Sequence, residues 1–277
     1  MTNHIPKQFM KTTTSASLAL IFSLTPSYAV ILADFDGGGS YVEGSFRIAP
    51  VAAAQVEAGG PTGNFYHLLD GAEGSGGNYV GVSTGSSTAN WTNATFKMDY
   101  RAENIQADGF SVAFVNVDTH GAGLVQAGSA GLADAEERGA YSDSIGVGFR
   151  TFNGTNATVN YNGVESADTA YPISDGIWGS LEISMDRNAI TGDVLLDAVM
   201  YTGTNGSGTA TSVFDDYAIG GVTMEEFRIQ VAGRTGGSSM DLDIDNLELS
   251  VTGIPEPSSA ILLGLAGLCL TVRRNRR

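Results

Sequence analysis

The stretch Thr95-Phe96-Lys97-Met98-Asp99-Tyr100-Arg101 alternates polar and apolar residues without a break. Successive side chains of an extended chain point to opposite faces, so Phe96, Met98 and Tyr100 form an apolar face and Thr95, Lys97, Asp99 and Arg101 a wet one. The segment is predicted as a half-buried strand. The same rule reads outward along the chain. Phe110, Val112 and Phe114 make a second such set; Ile145, Val147 and Phe149 a third; Leu181, Ile183 and Met185 a fourth; Val194, Leu196, Ala198 and Met200 a fifth. Between them stand Asn153-Gly154, Asn162-Gly163, Thr191-Gly192-Asp193 and Asn205-Gly206, residue types that accept the left-handed backbone of tight hairpin turns. The sum predicts an all-β fold: an antiparallel β-sandwich of roughly a dozen strands, with no helix longer than about two turns.

Two places depart from this rhythm. In the last predicted strand the apolar phase flips, from Leu242 and Ile244 to Leu247, Leu249 and Val251. One extra residue must therefore be absorbed around Asp245-Asn246, by a bulge or a bend. Residues 118–143 lack a strand pattern for longer than any other stretch of the middle, and within them residues 132–138 are suited to a short helix. A loop of that length in a compact domain is functional or mobile.

The two ends do not read as parts of the sandwich. Residues 1–29 combine Lys7 and Lys11, an apolar run over 16–24, Pro26 and the small-residue pattern Ser27-Tyr28-Ala29, which is the layout of a signal peptide cleaved between Ala29 and Val30. Passage through the Sec translocon is the corollary. Residues 254–277 hold Pro255-Glu256-Pro257, an apolar stretch over 260–272, and the cluster Arg273-Arg274-Asn275-Arg276-Arg277. Those 13 residues at about 1.5 Å each reach about 20 Å, short of a hydrocarbon core of about 30 Å, so the tail suits transient anchoring in the inner membrane better than a permanent span.

The domain left between them, residues 30–253, carries 8 Lys and Arg against 29 Asp and Glu, a net charge of −21. That surface repels phosphate backbones and excludes nucleic acid as a partner. The one cysteine of the chain, Cys269, lies in the tail, so the domain has neither a disulfide nor thiol chemistry.

In its order of parts the tail closely resembles the PEP-CTERM sorting signal of Gram-negative bacteria. The resemblance implies recognition by an exosortase, cleavage near Pro255-Glu256-Pro257, Arg273, Arg274, Arg276 and Arg277 held on the cytoplasmic side, and delivery to the cell surface or the exopolysaccharide matrix. An ordinary C-terminal membrane anchor is the alternative.

In the middle, Ala107-Asp108-Gly109-Phe110 followed by Ser111-Val112-Ala113-Phe114 is similar to a turn and strand of the L-type lectins. Ser144-Ile145-Gly146-Val147-Gly148-Phe149, Trp178 at the opening of a strand-turn-strand unit, Arg234-Thr235-Gly236-Gly237, and Ile244-Asp245-Asn246-Leu247 follow in the order seen in that group. Over about residues 94–251 the chain resembles the concanavalin A-like jelly roll shared by L-type lectins, laminin-G-like modules and family 16 glucanases. The resemblance implies a glycan site at the turn of Asp108 and Gly109 and the loop 118–143, with Asp108 accepting sugar hydroxyls, Asn116 adding an amide and Tyr141 stacking on a pyranose. The competing reading makes Asp108 a turn residue that caps its own loop.

One departure bears on metals. Where the lectin pattern holds Glu-Phe-Asp for its metal pair, this chain has Gly148-Phe149-Arg150, and a guanidinium has donors only. Calcium elsewhere is a candidate, because a carboxylate-rich extracellular sandwich needs only three or four converging oxygens. Asp243 and Asp245 are placed either in such a site or in a structural pair with Arg234. Neither Asp241-Asp243-Asp245 nor Asp34-Phe35-Asp36-Gly37 completes an EF-hand, whose twelfth position is filled here by Thr252 and Ser45. Asp243, Asp245 and Glu248 echo the acids of family 16 hydrolases, but on the last strand of the domain. His67 and His120 stand without a zinc-spaced or triad partner in sequence. Gly37-Gly38-Gly39 is followed by no lysine and no helix, so it is not a phosphate loop. The chain thus reads as a surface-sorted, non-catalytic, lectin-like binding module. A structural or adhesive envelope protein is the first alternative and a family-16-like hydrolase the second.

Overall fold

The computed structural model describes residues 27–37, 42–46, 55–71, 76–82, 90–106, 108–121, 135–152 and 154–253. The residues named for sorting, Pro255 to Pro257 and Arg273 to Arg277, lie outside these, as does most of the expected signal peptide. Within the described residues no helix is long and apolar enough to cross a membrane.

In chain order the elements begin with β1 (Ser27–Ala33), β2 (Val42–Phe46), β3 (Gln55–Ala58), β4 (Asn64–Leu69) and β5 (Gly76–Val82). They continue with β6 (Trp91–Glu103), β7 (Gly109–Asn116), the single turns α1 (Val117–His120) and α2 (Ala135–Arg138), and β8 (Ile145–Arg150). The chain closes with β9 (Asn156–Tyr161), β10 (Val164–Ala170), β11 (Gly179–Arg187), β12 (Val194–Tyr201), β13 (Ala210–Ile219), β14 (Phe227–Thr235) and β15 (Asp241–Gly253).

The strands form an antiparallel sandwich. One sheet runs β13-β12-β11-β6-β15-β4-β3, with β1 paired to the far half of β15; the other runs β10-β9-β8-β7-β14-β5-β2. The predicted turns close neighbouring hairpins: Asn162 and Gly163, both at positive φ, join β9 to β10, and Asn205 and Gly206 lie between β12 and β13. Between the sheets lie the apolar sets read from the alternation. Phe96 meets Phe114 edge-on, Trp91 and Phe114 both meet Phe227, and Phe110 stacks on Phe149. Trp91 is fully buried and donates its indole N–H to the Met224 carbonyl at 3.1 Å. Burying each such ring stabilises the fold by about 1.5 to 3 kcal/mol.

The phase flip in the last strand is a bulge at the predicted place. Asp245 pairs with Asp99 and Glu248 with Lys97, so three steps on β15 match two on β6. Asn246 takes the left-handed backbone, φ 52°. As a result Leu242 and Ile244 before the bulge, and Leu247, Leu249 and Val251 after it, all face the core.

The outer face of the seven-stranded sheet is covered by the segment around α2. A side chain on Gly148 would place its Cβ 2.5 Å from the Arg138 Cα, and one on Gly146 would come within 2.1 Å of the Gly139 carbonyl oxygen. The two glycines are what allow this backbone to lie directly on β8. Asn160 holds the segment by donating to the Arg138 carbonyl at 2.6 Å. Every residue of β7 is therefore buried, on both faces.

Candidate functional site

The four residues expected at a glycan site are not brought together. Asp108 and Asn116 flank opposite ends of β7, which at about 3.3 Å per residue puts them about 25 Å apart. Asp108 makes an ion pair with Arg234, Oδ2 to Nε 2.9 Å, on the seven-stranded sheet. The expected partner Asp245 lies on the other sheet, so Arg234 pairs with Asp108 instead. Gly109, φ 139°, has no room for a side chain because a Cβ would meet the Phe149 carbonyl oxygen at 2.2 Å. Asn116 caps α1, its side-chain oxygen accepting from the backbone of Asp118 and Thr119. Tyr141 is fully buried and its hydroxyl accepts from Gln230 at 2.8 Å, so neither ring face is open for stacking. The separation follows from strand length, and the burial of Tyr141 follows from the α2 segment lying on the sheet.

A concavity lies on the other side of the molecule, on the outer face of the eight-stranded sheet. It is a pocket of about 300 Å3 floored by β6, β11 and β15 and rimmed by residues 34–36, Thr62 and the Asn205-Gly206 turn. The polar positions of the opening alternation supply its floor: Lys97 and Asp99 project outward because Phe96, Met98 and Tyr100 project inward. Ser180 and Glu182 on β11, Tyr201 on β12, and Asn246 and Glu248 on β15 complete the lining by the same rule. Tyr201 also lines a smaller depression formed with Tyr100, Ile177 and Trp178.

Beneath the pocket two carboxylates are held out of water. Asp99 is 1 % exposed; its Oδ1 accepts from the Asn205 backbone N–H at 2.6 Å and its Oδ2 from the Asn246 amide at 2.9 Å. Asp245 is fully buried and accepts from the Asn246 backbone N–H at 2.8 Å, with the Thr62 hydroxyl 3.2 Å away. Burial disfavours the charged form of both. It raises the Asp99 carboxyl above its usual range and pushes Asp245 up to about 6, with the neighbouring charge of Asp99 adding a smaller contribution.

Beside this pair the face changes character. Asp243 receives two bonds from the Arg101 guanidinium, at 2.8 and 2.6 Å, and lies 2.6 Å from His67 Nδ1. Arg101 also stacks over Phe65 and Trp178, at 5.4 and 5.1 Å from their ring centres. The hydrogen bond to Asp243 raises the His67 pKa above 6.5.

Calcium at Asp243 does not fit, because the guanidinium of Arg101 already occupies that carboxylate. The lectin-type metal pair does not fit either, since Gly146 and Gly148 seat the α2 backbone and bring no ligand. Among the described residues, His67, Asp70 and Asp241 offer ligand atoms within 4.8 Å of one another. One imidazole with two carboxylates suits a transition metal better than calcium.

The sequence does not single out Asp99, Thr62, Glu182 or Tyr201, and it marks Glu248 only through its echo of the hydrolase acids. The signal for Asp99 is a carboxylate on the wet face of the deciding strand, but its burial depends on Asn205 and Asn246, which are remote in sequence. His67 stands alone in sequence for the same reason, its partner Asp243 being brought to it only by the pairing of β4 with β15.

No protein-family model matches the chain, and no curated protein matches it in sequence. In three dimensions it is similar to legume lectins. Peanut lectin, solved with a nine-residue peptide, shares 14% identity at a TM-score of 0.56, covering 84% of this chain and 100% of its own. Lectin II from Ulex europaeus shares 10% at 0.57, over 83% and 99%. The seed lectin of Lotus tetragonolobus shares 14% at 0.54, over 83% and 100%. At these identities the likeness is one of fold, and that fold is the concanavalin A-like jelly roll.

Proposed function

We propose that this chain is a non-catalytic, lectin-like glycan-binding module delivered to the cell surface or exopolysaccharide matrix, with the pocket floored by Lys97, Asp99 and Glu182 as its ligand site. The observation that carries the reading is the pocket itself. Its volume of about 300 Å3 lies at the small end of ligand cavities. Its carboxylate, hydroxyl and amide groups are hydrogen-bond partners suited to sugar hydroxyls, and Tyr201 adds an aromatic ring at the junction with the smaller depression. The legume-lectin fold agrees with this reading as an analogy, since the same fold serves many functions.

A non-catalytic role is supported by the acids of β15. Asp243 is neutralised by Arg101, and neither Asp243 nor Asp245 lines the pocket, so they do not form the open pair that retaining glycosidases hold about 5 to 5.5 Å apart. Delivery is supported by the order of parts at the two ends. Export begins at the Sec translocon with cleavage between Ala29 and Val30, which leaves Val30–Ala33 of β1 still paired to β15. The tail then anchors the chain transiently in the inner membrane of a Gram-negative cell until an exosortase cuts near Pro255-Glu256-Pro257.

The test is retention on immobilised polysaccharides by the wild-type chain, Tyr201→Ala and Asp108→Ala. Loss of a stacking ring should weaken binding about three- to tenfold, while Asp108→Ala binds as wild type does. Loss on Asp108→Ala with Tyr201→Ala unaffected would return the site to the seven-stranded sheet. Mass spectrometry of the secreted protein tests the processing; an intact Arg277 on the mature surface form would refute exosortase handling.

A further inference from the structure

Among the described residues Arg228 is the most deeply buried base, 1 % exposed. It projects with Gln230 from the outer face of β14, because Phe227, Ile229 and Val231 turn into the core. Its Nε donates to the Gly121 carbonyl at 3.0 Å and its Nη1 to the Gln230 side-chain oxygen at 3.1 Å. Both acceptors are neutral. The remaining nitrogen, Nη2, is buried and has no hydrogen-bond partner, and no carboxylate forms an ion pair with this guanidinium.

The fold treats its other shielded guanidinium groups differently. Arg187, with a side chain 6% exposed, meets Glu225 at 2.7 Å, and Arg234 meets Asp108 at 2.9 Å. Burial pulls the Arg228 pKa down to about 10, which still leaves it protonated at neutral pH. A buried charge needs compensation as well as hydrogen bonds. A water molecule on Nη2 would complete the bonds and leave the charge, whereas an anion would answer both.

We propose that Arg228 is the seat of an internal anion site, in which a halide-sized monoanion such as chloride accepts from Nη2 and neutralises the guanidinium between β14 and the end of α1. The size follows from the burial: a group so enclosed admits a one-atom ion and not a sugar ring. The same guanidinium holds Gly121 and Gln230, and Gln230 donates to the Tyr141 hydroxyl at 2.8 Å. Filling the site therefore fastens the end of α1 and the Tyr141 segment to the sheet. The site lies on the sheet opposite the glycan pocket, so each is tested without the other.

The experiment is thermal unfolding of the full chain near neutral pH in chloride and gluconate mixtures of constant ionic strength, gluconate being too large for the site. Above the dissociation constant, each tenfold rise in chloride should raise the melting temperature by roughly 3 to 5 °C. Gln230→Glu sets a carboxylate on the guanidinium, so it should abolish the chloride dependence and melt in gluconate as the wild type melts in chloride. Arg228→Met should abolish the dependence too; if it does not fold, Gln230→Glu decides. Crystals grown in bromide should place its anomalous signal at hydrogen-bonding distance from Nη2. A wild-type melting temperature indifferent to chloride would overturn the proposal, as would a Gln230→Glu variant that keeps the full dependence, which would trace the effect to the surface. A water at Nη2 in the bromide crystals would overturn it, and bromide there without any chloride effect in solution would mean an adventitious ion only and overturn it equally.

Discussion

Asp99 and Asp245 sit directly opposite each other on neighbouring strands, with both side chains on the outer face of the sheet, and neither is exposed by more than 1 %. Asn246 links them, donating from its side chain to one and from its backbone to the other. Burial disfavours the charged form of both, the charge of Asp99 adding a smaller contribution at Asp245, and this gives the domain a response to pH.

Asp245 titrates at about 6 in the folded state against 3.8 for the ordinary group. The folded state holds this proton more tightly than the unfolded one, so stability is gained as pH falls toward about 4 and lost as pH rises through about 6. His67, whose folded pKa is raised above 6.5, acts in the same direction: its contribution is complete below 6.5 and lost as pH rises through the raised value. Glu225, lowered by its hydrogen bond with Arg187, opposes them, losing its contribution as pH falls below 4.5. Thermal melts should therefore peak near about pH 5 and decline toward about pH 8, with Asp245 accounting for at most about 2 to 3 kcal/mol. Asp245→Asn should flatten that decline and raise the melting temperature at the alkaline end. A variant that keeps the wild-type slope would show that Asp245 is not responsible.

Asp108→Ala removes the carboxylate paired to Arg234 and leaves Glu137 at 3.9 Å as the nearest remaining acid. Both members of the pair are only 16% exposed, so the loss should cost about 1 to 3 kcal/mol. For a domain of this size that is a fall of roughly 2 to 10 °C in melting temperature. Calorimetry should find the loss, and an unchanged melting temperature would mean the pair contributes nothing net.

Gly148→Ala tests the seating of α2. The new Cβ would lie 2.5 Å from backbone, so the segment must lift or β8 must shift, at a cost of about 1 to 3 kcal/mol. Lifting exposes the peptide bond after Arg138, and limited trypsin digestion should cut there faster than in the wild type. Equal cleavage rates with equal melting temperatures would show that the contact is soft.

At the bulge, Asn246→Gly and Asn246→Ala separate two contributions. Both lose the side-chain bond to Asp99, but only alanine also meets the cost of a left-handed backbone, about 1 kcal/mol. Denaturant unfolding should rank wild type above glycine and glycine above alanine. Alanine equal to or better than glycine would mean that the bulge has rearranged.

Much of the fold was legible because it rests on local rules. The wet and dry faces of Thr95 to Arg101, the turn at Asn162-Gly163 and the bulge at Asp245-Asn246 each follow from a few consecutive residues. Which strands become neighbours was not legible. The insertion of β6 between β11 and β15, and of β7 between β8 and β14, depends on pairings between segments far apart in the chain. The site was hidden for the same reason. Asp99 becomes a buried group only when Asn205 and Asn246, more than a hundred residues away, fold over it. The distance from Asp108 to Asn116, by contrast, was legible in the length of the strand that joins them.

The position of β15 governs the order of assembly. Among the described strands it is the last in chain order, and it lies inside its sheet, with β6 along one side and β4 and β1 along the other. Until it arrives, those strands face an open slot, and the pairings that close the sheet span most of the chain. A nascent chain therefore emerges without a completed core and closes this sheet in a late step, once β15 is free. Until then the strands on either side of the slot have no partner on that side to hold them in register.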